Sequence, residues 1–341
     1  MTGPGKGNRR RRTVRSAIGS GRRQPLRLAM VNLPSSPARS LPVRPAPAAE
    51  RTLPGIALVL ATLFLFSCQD GISKLLAADY DPAQITFMRY LTMLALLAVP
   101  LLRAPGALRT RIPLLQIGRG VCLFASAILF IHALAYLPIA EATTIAFVSP
   151  LLVTALSIPL LGETVGIRRW SAVGIGFLGV LVVLRPGTGA FQPAALLPLA
   201  SASAWAAALV LTRKMRGVDR ALTTLVWSTL SGLLGAAVML PFVWAPLTAR
   251  SFALMAGQGI LSLIGQMLLI VAYGWAPASV LAPFAYSQML WATLIGYVVF
   301  AAVPARSTWL GAAIIVASGL YILHRERALA TQRQRRAAPP A

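Results

Sequence analysis

Charged residues are scarce in this sequence, since Asp, Glu, Lys and Arg make up only 12% of its 341 residues. A soluble domain carries about 25% of such residues, so an ordinary cytosolic protein is excluded. The only two cysteines, Cys68 and Cys122, lie in apolar runs, which excludes a disulfide framework and a thiolate metal cage. Two histidines in the whole chain leave little for metal binding or acid–base chemistry. We therefore expect neither a metal nor a cofactor.

Apolar residues take the place of the missing charges, at 57% of the chain. From Pro54 onward, apolar segments long enough to cross a hydrocarbon core of about 30 Å alternate with short breaks. The ten-residue alternation of a membrane barrel is absent from the sequence, so the segments are interpreted as helices. The sequence predicts an all-α polytopic membrane protein with ten transmembrane helices, at 54–76, 83–102, 113–136, 141–161, 169–185, 194–213, 221–244, 252–275, 279–301 and 307–324.

The net charge of +24 is concentrated in the two tails, because 12 of the 32 Lys and Arg residues lie in residues 1–51 and 5 lie beyond residue 324. Basic tails beside membrane helices suit anionic lipid headgroups better than nucleic acid. We expect residues 1–52, rich in Arg and Pro, to be disordered, with Met30 as an alternative start to Met1. Residues 326–341 form a second basic tail.

Basic residues in the predicted loops set the orientation of the chain. If the N-terminus is cytoplasmic, nine Lys and Arg residues fall in inner loops and three in outer loops. Because inner loops of membrane proteins are enriched in these residues, both tails are predicted to face the cytoplasm.

The sequence repeats itself at an offset of 139 residues. Each unit contains five predicted helices, an odd number, so the second unit, 193–325, is inverted relative to the first, 54–185. Inverted repeats are typical of secondary transporters that open alternately to each side. The most informative matches are Gly118-Arg119-Gly120 with Gly257-Gln258-Gly259, Ser73-Lys74 with Thr212-Arg213, Pro138 with Pro277, and Trp170 with Trp309.

The first unit contains four informative motifs: Phe66–Lys74, Phe87-Met88-Arg89, Ala142-Thr143-Thr144 with Ser149-Pro150, and Gly162-Glu163. These motifs resemble the drug/metabolite transporter superfamily, of the EamA type. The resemblance implies ten helices in two five-helix repeats, cytoplasmic termini, and movement of a small organic metabolite across the bacterial inner membrane. The partners that the resemblance implies are membrane lipids and a small-molecule substrate. It leaves open whether the chain acts alone or as a homodimer.

Ionisable residues inside the predicted spans are few, and each is costly to place there. Asp70 and Lys74 lie one turn apart on the first helix and can pair. Arg89 lies about two turns from the outer end of the second helix, which is its start at residue 83, and the second repeat lacks two of these three charges. We predict that Asp70, Lys74 and Arg89 face one central cavity, where Arg89 contacts the substrate and Asp70 is a candidate for proton coupling.

Three further residues complete the predicted site. Trp205 and Tyr286 fall within spans and are expected to line the cavity, although packing alone would also explain them. Glu141 is a second candidate for coupling, or a partner of the helix dipole at the start of its helix. Lys74 and Arg119 have an alternative as well, because their long stems can carry the charge to the membrane surface.

The predicted function is secondary transport by alternating access, with no enzymatic activity. A near balance of acids and bases inside the membrane suits an amino-acid-like, zwitterionic or weakly anionic metabolite. The sequence contains no ATP-binding motif of the Gly-x4-Gly-Lys type. The alternatives are a polytopic membrane enzyme acting on lipid-linked substrates and a membrane scaffold that transports nothing.

Overall fold

The computed structural model of the protein describes residues 52–161, 167–186, 192–215, 218–276 and 278–337. These residues contain helices and no β-strand, as the sequence predicts. The basic tail up to residue 51 and the Gly162-Glu163 motif lie outside the described residues. The helices are α1 (Thr52–Leu76), α2 (Pro82–Arg103), α3 (Pro113–Tyr136), α4 (Ile139–Ala146), α5 (Ser149–Leu161), α6 (Ile167–Leu184), α7 (Leu196–Lys214), α8 (Ala221–Val243), α9 (Ala249–Trp275), α10 (Ala278–Leu281), α11 (Ser287–Phe300) and α12 (Arg306–Ala337).

Two of the predicted spans are interrupted. The span at 141–161 is divided into α4 and α5 by a turn at Phe147 and Val148, just before Pro150. The span at 279–301 is divided into α10 and α11 by the 3-10 turn Ala282–Tyr286, which contains Pro283. Proline lacks the N–H that a continuous helix needs, so each break falls where the sequence removes a backbone donor.

Seven helical segments of the described chain are long and apolar enough to cross a membrane. One of these segments is Ile139–Leu160, which runs through the break between α4 and α5. Helix α12 continues to Ala337, beyond the end at residue 324 that the sequence predicts for the last span. The protein is therefore an all-helical, multi-pass membrane protein.

Helix α8 shows the outward face that such a protein needs. Leu234, Val238 and Phe242 lie at intervals of four residues and are 65%, 73% and 86% exposed. Residues four apart share one face of a helix, and a continuous apolar stripe of this kind is favourable against lipid but not against water.

The helices are packed in a regular pattern. Helix α1 packs against α9 and α11, whereas α7 packs against α3 and α5. Helix α2 lies against α8 and α9, and α3 also contacts α8. Helix α6 packs against α12, and α4 against α11. Helix α1 thus packs mainly against elements from the second half of the chain, with smaller contacts to α3 and α4, and several of its polar residues are buried.

Hydrogen bonds link the segments near both ends of α2 to neighbouring parts of the chain. Between the start of α2 and the segment after α8, the Gln84 amide donates to the Ala245 carbonyl at 2.7 Å and accepts from the Ala245 N–H at 2.9 Å. At the opposite ends, Thr110 and Gln116 donate to the Asp219 carboxylate. Hydrogen bonds from Thr110 and Gln116 hold the pKa of Asp219 below its ordinary value.

Candidate functional site

Helix α1 presents a polar face to α9 and α11. Thr62, Ser67, Asp70 and Ser73 on this helix are all buried. Their partners come from the second half of the chain, since Ser67 Oγ donates to the Gln288 carbonyl at 3.4 Å. Buried polar groups inside a membrane helix bundle are costly unless they bond to one another or serve a ligand, so this face is the candidate site.

Asp70 and Arg89 are buried charges at the centre of this region, with only 8% and 7% of their surfaces exposed. The two groups interact electrostatically. Within the described part of the chain, however, no carboxylate lies within 4.0 Å of the Arg89 guanidinium. Asp70 accepts one long hydrogen bond, from Gln288 Nε2 at 3.5 Å. The structure therefore places Asp70 and Arg89 within electrostatic range of each other, without direct contact.

The Arg89 guanidinium lies over the Tyr90 ring, with Cζ 5.0 Å from the ring centroid. An aromatic face attracts a cation but accepts none of its hydrogen bonds in the plane of the guanidinium. The N–H donors of Arg89 therefore have no acceptor among the described residues.

Lys74 is directed away from Asp70. Its Nζ donates to the carbonyls of Leu134 and Leu137, both at 2.7 Å, and lies 5.7 Å from the centroid of the Phe300 ring. The last carbonyls of a helix lack partners within that helix and attract a positive charge. Lys74 thus caps the C-terminal end of α3, and the ion pair with Asp70 that the sequence allows is not formed.

Arg119 is held inside the protein rather than at its surface. Its Nε donates to Thr212 Oγ1 at 2.7 Å, and its terminal nitrogen donates to Ser228 Oγ. Arg119 therefore links α3 to α7 and α8, and the snorkelling that the sequence suggests is not needed to explain it.

The remaining predicted site residues lie in different surroundings. Glu141 is half-buried in the first turn of α4 and interacts electrostatically with Arg185. Trp205 on α7 is 42% exposed. Tyr286 is half-buried at the end of the 3-10 turn before α11, with its ring centroid 5.3 Å from that of Phe147. Within the described residues, none of these three side chains forms a hydrogen bond or a ring contact with Asp70 or Arg89. Their roles in binding or coupling remain predictions.

The predicted site does not include the uncharged glutamines that lie beside Asp70. Gln258 Nε2 on α9 donates to Ser73 Oγ at 3.0 Å, and Ser262, one turn further, donates to Gln69. Gln288 on α11 bonds Asp70 itself. A glutamine inside an apolar span costs free energy as a charge does, although less, and this signal could have identified them from the sequence.

Comparison with known proteins identifies the family. Residues 53–185 match the model of the EamA-like transporter family. A riboflavin transporter of Rhizobium johnstonii is 32% identical over 68% of this chain and 78% of its own length. An S-adenosylmethionine uptake transporter of Rickettsia prowazekii is 27% identical over 81% of this chain and 94% of its own.

The fold is also found in a solved structure. A solved crystal structure superposes with a TM-score of 0.55 at 21% identity, over 82% of this chain and 98% of the other. The relatives are named as transporters rather than enzymes. The chain accordingly belongs to the EamA-type family of the drug/metabolite transporter superfamily and is a multi-pass membrane transporter of small metabolites.

Proposed function

We propose that the protein is a secondary transporter of a zwitterionic, amino-acid-like metabolite, which binds between Asp70 and Arg89. The observation that carries this proposal is the separation of the two charges. A buried acid and a buried base that do not touch leave both charges with unmet hydrogen-bonding capacity. A ligand with a carboxylate and an ammonium group would satisfy both at once.

Arg89 would bind the carboxylate of such a ligand. A guanidinium forms two parallel hydrogen bonds to a carboxylate, and each bond is strengthened by the charges. Asp70 would hold the ammonium group, and Gln288, which already donates to Asp70, would fix the orientation of its carboxylate. S-adenosylmethionine carries both groups, whereas riboflavin carries neither, so the proposed site favours the chemistry of the first.

We further propose that the ten spans form two inverted five-helix repeats, 54–185 and 193–325, which alternate between states open to each side. Paired hydrogen bonds support the repeat. Ser201 Oγ donates to the Ser126 carbonyl at 2.8 Å, and Thr62 Oγ1 donates to the Gly265 carbonyl at 3.3 Å. Each residue of the first bond lies 139 positions from its counterpart in the second.

A second pair of bonds follows the same rule. Arg119 donates to Thr212, and Gln258 donates to Ser73. Gln258 lies 139 positions after Arg119, and Ser73 lies 139 positions before Thr212. Equivalent contacts between α3 and α7 and between α9 and α1 are what a two-fold axis in the membrane plane requires.

Coupling and orientation complete the proposal. With ten spans in the bacterial inner membrane, both termini would lie in the cytoplasm, and Asp70 would carry the coupling proton because it shares the site with the substrate. Glu141 is a weaker candidate, since within the described residues it forms no contact with Asp70 or Arg89. Lys74 would stabilise the fold by capping α3, and Trp205 and Tyr286 would line the cavity through which the substrate passes.

A binding panel tests the substrate class. Purified protein is heated with amino-acid-like compounds, S-adenosylmethionine and riboflavin, and the unfolding temperature is measured. A ligand at 100 times its Kd stabilises the folded state by about 2.7 kcal/mol, so a zwitterionic ligand should raise the unfolding temperature of the wild type but not of Arg89→Ala. Lys74→Met is the matched control and should retain the response. Equal stabilisation of Arg89→Ala, or stabilisation by riboflavin alone, would contradict the proposal.

A further inference from the structure

We propose that Gln258 is a positioning residue for Arg89: a change of the Arg89 side-chain rotamer brings one N–H of its guanidinium to Gln258 Oε1 and leaves the other edge of the guanidinium for the substrate. The role in substrate binding rests on the proposed function of Arg89, but the contact between the two side chains does not. The inference joins a buried acceptor and a buried donor group that lie on touching helices.

The acceptor is the Gln258 carbonyl oxygen. Gln258 is fully buried, with 0% of its surface exposed. Its Nε2 is committed to Ser73 Oγ at 3.0 Å, which directs Oε1 to the other side of the amide. Within the described residues Oε1 has no hydrogen-bond partner. Leaving a buried acceptor unsatisfied costs about 1–3 kcal/mol, so a donor is expected opposite this atom.

The donor is on the neighbouring helix at the same level. Gly259 follows Gln258, and a Cβ atom at Gly259 would lie only 2.8 Å from the Arg89 carbonyl oxygen. The backbones of α9 and α2 therefore touch where these two residues lie. Arg89 is buried, and the described residues offer no acceptor within hydrogen-bonding distance of its N–H groups.

The other half of the protein already forms the equivalent contact. Positions 139 residues apart pair Gln258 with Arg119 and Arg89 with Ser228. Arg119 donates through its terminal nitrogen to Ser228 while its Nε holds Thr212. Gln258 holds Ser73, the counterpart of Thr212, in the same manner.

Each of these two pairs contains one arginine and one neutral residue. The arginine stands at position 119 in the pair with Ser228, whereas at the equivalent position in the other pair stands Gln258, and its partner is the arginine, Arg89. An arginine at position 258 would place a second cation beside Arg89, and like charges repel strongly in a low-dielectric interior. A glutamine at 258 removes that repulsion and keeps a hydrogen-bonding group of similar reach. The presence of glutamine at this position is thus explained by the presence of Arg89.

The expected consequence is a guanidinium with one edge fixed. A guanidinium held by one neutral acceptor keeps its full charge and still has two adjacent N–H groups for a carboxylate. Gln258 would thereby reduce the number of orientations that Arg89 samples before the substrate binds, which favours binding.

A double-mutant cycle on the purified full chain tests the contact without any substrate. The unfolding temperature is measured for Gln258→Leu in the wild type, in Arg89→Leu and in Ser73→Ala. We expect the loss caused by Gln258→Leu to shrink by at least half in the Arg89→Leu background, because the partner is already absent. An equal loss with and without Arg89 would overturn the proposal and leave Ser73 as the only partner of Gln258.

Gln258→Glu provides the second arm if Gln258→Leu does not fold. Beside Arg89, a glutamate at this position gains an ion pair, so the variant should keep the wild-type unfolding temperature. In the Arg89→Leu background the same glutamate is a buried, unpaired charge and should lower it. A loss of the same size in both backgrounds would overturn the proposal. Failure of every metabolite to bind would instead contradict the proposed function and leave the result of the cycle unaffected.

Discussion

Phe147 and Tyr286 contact each other across the interior, with ring centroids 5.3 Å apart and ring planes inclined by 36°. They also lie 139 positions apart in the sequence, so each is the repeat counterpart of the other. Phe147 lies in the turn between α4 and α5, and Tyr286 ends the 3-10 turn before α11. A contact between equivalent residues falls on the two-fold axis of the proposed repeat, where the two broken spans meet.

The Tyr286 hydroxyl leads to a prediction about Gly319. A methyl group at Gly319 on α12 would overlap this hydroxyl. Gly319→Ala should therefore destabilise the protein by about 1–3 kcal/mol, the usual cost of overfilling a packed interior. Unfolding temperature in detergent measures the effect.

The control removes the hydroxyl. Tyr286→Phe keeps the ring against Phe147 and should recover most of the stability that Gly319→Ala loses. If Gly319→Ala is equally destabilising with Phe at position 286, then the hydroxyl is not the group that the new methyl meets.

Lys74 should affect stability rather than binding. Its two hydrogen bonds to the end of α3 involve a charged donor, and such bonds contribute about 1.5–3 kcal/mol. Lys74→Met should lower the unfolding temperature, whereas Lys74→Arg, which keeps the charge and the donors, should lower it less. Ligand affinity measured on the folded Lys74→Met protein should equal that of the wild type, and a clear loss of affinity would instead return Lys74 to the substrate site.

The hydrogen bonds that the Asp219 carboxylate accepts should make the stability of the protein depend on pH. Hydrogen bonds from Thr110 and Gln116 hold the pKa of Asp219 below its ordinary value of 3.8. A depressed pKa in the folded state gives stability that is present above the ordinary pKa and is lost as the pH falls through the folded-state value.

Asp219→Asn should therefore lower the unfolding temperature at pH 7, with a difference from the wild type that narrows as the pH falls below 3.8. Thr110→Val is the matched control, because it removes one donor and leaves the carboxylate. A difference that stays constant from pH 7 down to pH 3 would show that the carboxylate charge does not hold these loops together.

Much of the architecture could be predicted from the sequence. Apolar runs between prolines and charges placed the helices, and the matches between Gly118-Arg119-Gly120 and Gly257-Gln258-Gly259 indicated a repeat. Pro150 and Pro283 stand inside two of the predicted spans, but these spans were predicted as continuous, and the division of each into two helices was not predicted. The length of α12 was underestimated because its final turns are polar and carry no hydropathy signal.

The site was predicted less completely. The sequence identified Asp70 and Arg89, since buried charges are conspicuous in apolar spans. The direction of Lys74 could not be predicted, because helical spacing fixes the face of a helix but not which neighbouring helix end attracts the ammonium group. Gln258 is neutral and was not among the predicted site residues. Its hydrogen bond to Ser73 and its position beside Arg89 depend on how α9 packs against α1 and α2, which the sequence does not specify.

Counterflow in proteoliposomes tests the central claim most directly. Vesicles loaded with unlabelled S-adenosylmethionine, which carries the carboxylate and the ammonium group that the proposed site would bind, take up labelled compound only if the protein exchanges it. We predict uptake by the wild type and by Lys74→Met, a loss of about 10–100-fold for Arg89→Lys because the paired hydrogen bonds are lost, and no uptake for Arg89→Ala. Wild-type uptake by Arg89→Ala would contradict the assignment of the substrate site to Asp70 and Arg89.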